Sequence, residues 1–120
     1  MIKLRNFSAK ELGCPCGACS PTERLDIISL RKLQRLRDLF KKPMIVNSAA
    51  RCVAHNKAVG GSRHSKHLTG QAFDISIRDW STSDVGRFVI LARECGFNGI
   101  GLYETFIHID TRKNKFHWTA

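Results

Sequence analysis

The sequence predicts an α+β fold, a small and mainly antiparallel sheet with helices packed on one side. Three observations carry that expectation. Two stretches repeat apolar residues at helical spacing, others alternate apolar and polar residues at the period of a strand, and turn-forming residues near the C-terminal end fold two strands back on each other as a hairpin.

Taken in order, Ser8-Ala9-Lys10-Glu11 has the capping-box form and opens a short helical turn that ends at Gly13. From Thr22 to about Lys41, Leu25, Ile28, Leu33, Leu36 and Phe40 fall close to helical spacing, while Arg24, Arg31, Lys32, Arg35 and Asp38 fill the other side. This is the main amphipathic helix. Pro43 sets its end, and Met44 to Ser48 reads as a strand. Gln71, Phe73, Ile75 and Ile77 alternate with Ala72, Asp74 and Ser76, marking a second strand. Ser81 to Asp84 supplies N-cap candidates for a helix from about Ser83 to Cys95, closed by Gly96. Asn98-Gly99 then turns into a strand over Ile100 to Tyr103, and a further turn near Glu104 leads to a strand carrying His108. With no repeat, linker or low-complexity tract, the 120 residues, 42% of them hydrophobic, are expected to form one domain spanning 1–120.

One face of the second strand carries a single carboxylate, Asp74, among small residues, which suggests a cleft. Gly70 lets the chain turn sharply just before it, so that the imidazole of His67 can converge on that carboxylate. In the stretch from Gly101 to Arg112, alternation places His108 and Asp110 on one strand face. Two histidine nitrogens and one aspartate oxygen, from His67, Asp74 and His108, leave the fourth tetrahedral position of a zinc ion open, the pattern of a catalytic rather than a structural site.

The spacing Ser-x-His-x-x-Gly-x-Ala-x-Asp, standing here as Ser65, His67, Gly70, Ala72 and Asp74, is specific. With it come Ser48-Ala49-Ala50-Arg51, the Gly60-Gly61 loop and the closing strand Phe106-Ile107-His108-Ile109-Asp110. On these residues the sequence resembles the zinc D-alanyl-D-alanine carboxypeptidases and the related phage and bacterial murein endopeptidases, whose zinc core also occurs in lysostaphin-type enzymes and hedgehog domains. Asn6-Phe7-Ser8 and Phe116-His117-Trp118 also look like phage members of that group.

The resemblance implies a hedgehog/DD-peptidase-like zinc fold. It also implies a zinc peptidase that hydrolyses peptidoglycan stem peptides or cross-links, as a D,D-carboxypeptidase or as an endopeptidase such as an endolysin. It gives Arg51 the role of holding a substrate carboxylate or polarising the scissile carbonyl, a task suited to a planar, permanently charged fork. Ser65 receives a supporting, hydrogen-bonding role in substrate binding. Many relatives place an acidic residue three positions before the last histidine ligand, or a histidine two before it; here those positions are Thr105 and Phe106. The general base therefore falls to Glu104 or Asp110, with Asp110 alternatively orienting a ligand. That departure keeps a second reading open, a non-catalytic zinc-fold module that binds cell wall or serves as a phage structural part.

The formal net charge of +10 implies attraction to polyanions. Nucleic acid ranks below an anionic bacterial envelope, because no aromatic residues interleave with the basic ones to stack bases. No apolar run approaches the ~20 residues of a membrane span, and the opening residues lack the apolar core of a secretory signal. The expectation is a monomer made in the cytoplasm, reaching the wall by lysis or a secretion route. Five cysteines, an odd count, argue against a complete disulfide framework. Cys14, Cys16 and Cys19 offer three thiols for a second, structural zinc, with Cys52 or a histidine as the fourth ligand.

Overall fold

A computed structural model describes residues 6, 7, 12, 26–49, 53–61 and 65–119, with the backbone alone for 53–55. The turn expected from Ser8 to Gly13 lies outside the described residues except for Leu12, which is buried in the core.

The main helix, α1 (Ile27–Phe40), begins later than its periodicity suggests. Asp26 has extended backbone and its side chain accepts from the Ser29 N–H, an N-cap that sets the first turn. At the other end Lys41 takes a left-handed conformation, φ 60°, and its N–H closes on the Arg37 carbonyl, so the helix ends at Phe40, three positions before Pro43. Leu30, Leu33, Leu36 and Phe40 are fully buried on its inner face. The second long helix, α3 (Thr82–Glu94), is capped by Ser81 and ends at Cys95, followed by Gly96 at φ 96°. Phe88 of α3 meets Phe40 of α1 edge to face at 5.3 Å. Between them lie β1 (Val46–Ser48), a short helix α2 (Val53–Ala58), a 3₁₀ turn (Lys66–Thr69) and β2 (Ala72–Ser76); β3 (Gly99–Leu102), β4 (Phe106–Asp110) and β5 (Phe116–Thr119) follow α3.

The five strands form one sheet in the order β1-β2-β4-β3-β5. All neighbours are antiparallel except β3 and β5. The expected hairpin is present as β3 and β4, closed by the Tyr103 N–H donating to the Phe106 carbonyl. The edge strand β5 is an addition: the chain crosses the end of β3 after Asp110 and returns parallel to it. Asn98 holds that crossing, its amide donating to the carbonyls of Arg112 and Lys113.

Strand parity divides the sheet into two faces. Phe73, Ile75, Ile100, Ile107 and Ile109 are buried in the core, which the long helices α1 and α3 complete with their own apolar residues. Each such side chain contributes about 1.5–3 kcal/mol on burial. The opposite face carries Asp74, Phe106, His108, Asp110, Gly99, Gly101, Tyr103 and Trp118. Register lines up Asp74, His108, Gly101 and Trp118 in one row across four strands.

Candidate metal centre

Each donor of the His67, Asp74 and His108 set is delivered by a different local device. His67 sits in the 3₁₀ turn, whose N-cap is Ser65, with the Ser65 hydroxyl accepting from the His67 N–H, and whose C-cap is Gly70 at φ 68°. That left-handed residue turns the chain directly into β2, where Asp74 pairs opposite His108 of β4.

The three donors face one another. Asp74 Oδ1 lies 3.2 Å from His67 Nε2 and 3.0 Å from His108 Nδ1. The ligand atoms of the trio all fall within 4.8 Å, and among the described residues this is the group of His, Cys, Asp or Glu side chains that could hold a metal ion. The remaining ring nitrogens decide the tautomers. His67 Nδ1 lies 2.6 Å from the Ala49 carbonyl, which can only accept, so Nδ1 carries the proton and Nε2 presents its lone pair to Asp74. His108 Nε2 lies 2.8 Å from Asp110 Oδ2, so the same logic leaves His108 Nδ1 as a lone-pair donor. Two lone-pair nitrogens and a carboxylate oxygen in mutual contact repel unless a cation or protons lie between them. This donor set fits a divalent ion with mixed nitrogen and oxygen preference, and zinc is bound by such sets.

Protonation follows the same geometry. Burial alone would raise the Asp74 carboxyl, but hydrogen bonds and charge from His108 and His67 outweigh it and hold it at about 2. Burial would likewise raise Asp110, yet bonds from Arg112 and His108 hold it well below the usual carboxylate range. For His108, burial favours the neutral ring, while bonds to Asp110 and Asp74 prevail and raise its pKa above the ordinary 6.5.

Around the donors opens a cleft of ≈ 490 Å³, walled by Gly60, Gly61, Lys66, Tyr103, Phe106, Arg112 and Trp118. Ser65, the residue expected to support substrate, also lines the cleft, from the turn that it caps. Arg51, the expected substrate cation, and Cys14, Cys16, Cys19 and Cys52 lie outside the described residues.

Neither candidate base is among the residues that line this cleft. Glu104 lies in the β3–β4 turn and lines a neighbouring cleft with Asn47, Ser76, Arg78, Asp79 and Trp80. Asp110 is fully buried, with Oδ1 and Oδ2 taken by Arg112 Nε and Nη2 at 2.8 and 2.7 Å and by His108. Its contact with His108 Nε2 is of the kind that a ligand-orienting carboxylate makes. Sequence reasoning missed the aromatic wall and Arg112. Parity carried a signal for them, since Tyr103 continues the Gly99, Gly101 face and Arg112 the His108, Asp110 face.

A search of curated proteins finds no match to this chain. A family model described as Peptidase M15 matches residues 5–110. That span takes in the capped 3₁₀ turn, all three donors and the buried Asp110; among the described residues, the loop after Asp110 and β5 lie beyond the match. A chain matched over that length belongs to the peptidase M15 family.

Proposed function

We propose that the protein is a zinc-dependent peptidase hydrolysing peptidoglycan stem peptides or cross-links, as a D,D-carboxypeptidase or as an endopeptidase of the endolysin kind. The observation that carries the reading is the convergence of His67 Nε2, Asp74 Oδ1 and His108 Nδ1 on the floor of an open cleft in an M15 family chain. His67, Asp74 and His108 would hold the zinc. The ion, when bound, supplies Lewis acidity toward a carbonyl oxygen and lowers the pKa of water.

The chain's own residues do the rest. The Ala49 carbonyl and Asp110 keep both imidazoles in the ligating tautomer. Phe106, Tyr103 and Trp118 give an acyl chain an apolar wall, and Lys66 and Arg112 put positive charge at the rim where a peptide carboxylate would lie. Arg51 joins them in this reading through the family resemblance. The net charge of +10 suits an anionic envelope, which the protein would reach by lysis or a secretion route.

A specific observation favours the second reading, a non-catalytic wall-binding or phage structural module. Among the described residues the cleft has no carboxylate besides Asp74, which is itself one of the donors. One experiment separates the two. Purified protein is incubated with peptidoglycan, with and without a chelator, and new free amines are counted. Release that the chelator abolishes, and that His67→Ala and His108→Ala lose together with bound zinc, is the expected result. Zinc-loaded protein that binds the wall but releases no amine overturns the peptidase reading in favour of the module.

A further inference from the structure

We infer that Tyr103 is a catalytic hydrogen-bond donor of this site, directing its phenolic O–H at the oxygen of the scissile carbonyl as negative charge gathers there. The inference rests on the peptidase reading and adds to it a residue that stabilises the charge developing on the substrate oxygen.

Tyr103 lines the same cleft as the three donors. Its ring is stacked on Phe106, nearly parallel at 6° with centroids 4.4 Å apart, so its direction is fixed by packing. Trp118 Nε1 lies 2.9 Å from Tyr103 Oη. An indole N–H only donates, so the phenol oxygen accepts there, and its own proton must point elsewhere. Among the described residues no acceptor takes that proton, although Oη is not free to turn toward Trp118. The indole that sets this polarity lies over Gly101, one strand across from His108, with its ring 5.2 Å from the His108 imidazole. The row that carries Asp74 and His108 therefore ends in the group that orients Tyr103.

Among the described residues the cations of the wall are less suited. Arg112 spends Nε and Nη2 on Asp110. Lys66 opens the 3₁₀ turn on a long flexible stem. A donor held before the reaction begins loses nothing to reorganisation, and removing one such donor costs about 10²–10³ in turnover. No proton is transferred: the O–H bond of Tyr103 stays intact while it shortens its contact to the developing oxyanion.

The test replaces Tyr103→Phe, which keeps the stack on Phe106 and deletes the hydroxyl alone. With peptidoglycan as substrate, kcat should fall about 10²-fold with KM and zinc content unchanged. Affinity for a phosphinate analogue of D-alanyl-D-alanine, whose tetrahedral oxygens mimic the charged state, should fall by a similar factor. Trp118→Phe should shift both in the same direction by less. Tyr103 is the chain's sole tyrosine, so biosynthetic 3-fluorotyrosine labels it alone in otherwise unaltered protein. Its ¹⁹F resonance should move when the phosphinate binds, a readout that needs no variant to fold. Wild-type turnover and phosphinate affinity in Tyr103→Phe, or a ¹⁹F signal blind to bound phosphinate, overturns this inference and leaves the peptidase reading standing. Wild-type protein that neither releases amines nor binds the phosphinate removes both.

Discussion

At Asp110 a carboxylate with no solvent contact faces His108 on one side and Arg112 on the other. An asparagine there could accept from His108 Nε2 with its oxygen, but its amide would then turn donor to donor against Arg112. Asp110→Asn is accordingly expected to weaken zinc binding about 10- to 100-fold while leaving the cleft walls in place, measured by competition with a chromogenic chelator. Unchanged affinity would mean that the strand alone holds His108. Strand parity made this residue visible in the sequence, because positions 108 and 110 must share a face. Whether its carboxylate meets water or a ring is decided by what stands opposite: Gly99, where a methyl group would overlap Asp110 and Arg112. Glu104 shows the converse. Its place in a two-strand turn was legible, but the direction in which a turn presents its side chains depends on backbone angles that a one-letter pattern does not carry.

Gly101 is the equivalent position for an entire strand. A Cβ there would overlap the indole of Trp118, so the side chain that ends the site row lies flat against β3 only because β3 has no side chain beneath it. Gly101→Ala should push the indole off the sheet, break its bond to Tyr103 and destabilise the fold by about 1–3 kcal/mol, the usual cost of overpacking. Denaturant unfolding followed by tryptophan fluorescence would register both effects; a variant as stable as wild type would show that β5 repacks freely. The elements differ in how well the sequence announced them. The cores of β2 and β4 and the long helices repeat apolar residues that point at one another, so their periods survive in the chain. β5 has only four residues, with Phe116 56% exposed, and its parallel partner lies across a loop, so no local pattern marked it as a strand. The six residues of α2 and four of the 3₁₀ turn are too short to display a period.

Across the molecule, the site couples folding to pH in two opposed ways. Asp74 and Asp110 are lowered from the ordinary carboxylate value of 3.8, so their contribution is present above it and lost as pH falls toward their native values. His108 is raised above 6.5, so its contribution is full below 6.5 and lost as pH rises through the native value. Chelator-treated protein should therefore be most stable in mildly acid solution. Zinc competes with the proton on His108, so the difference in Tm between zinc-loaded and chelator-treated protein should narrow from about pH 8 to about pH 5. Thermal melts across that range check it, and a gap that widens on acidification would contradict the donor assignment. The register that sets Asp74 against His108 also spans 34 positions, whereas His67 and Asp74 are only 7 apart. The local pair can meet while the chain is still largely open. The third donor arrives only when β2 and β4 have closed around α3, a step driven by the apolar residues of the other face. An ion held by all three donors is expected to act as a latch, lengthening the time the chain stays folded more than it speeds folding, which stopped-flow folding and unfolding with and without zinc checks.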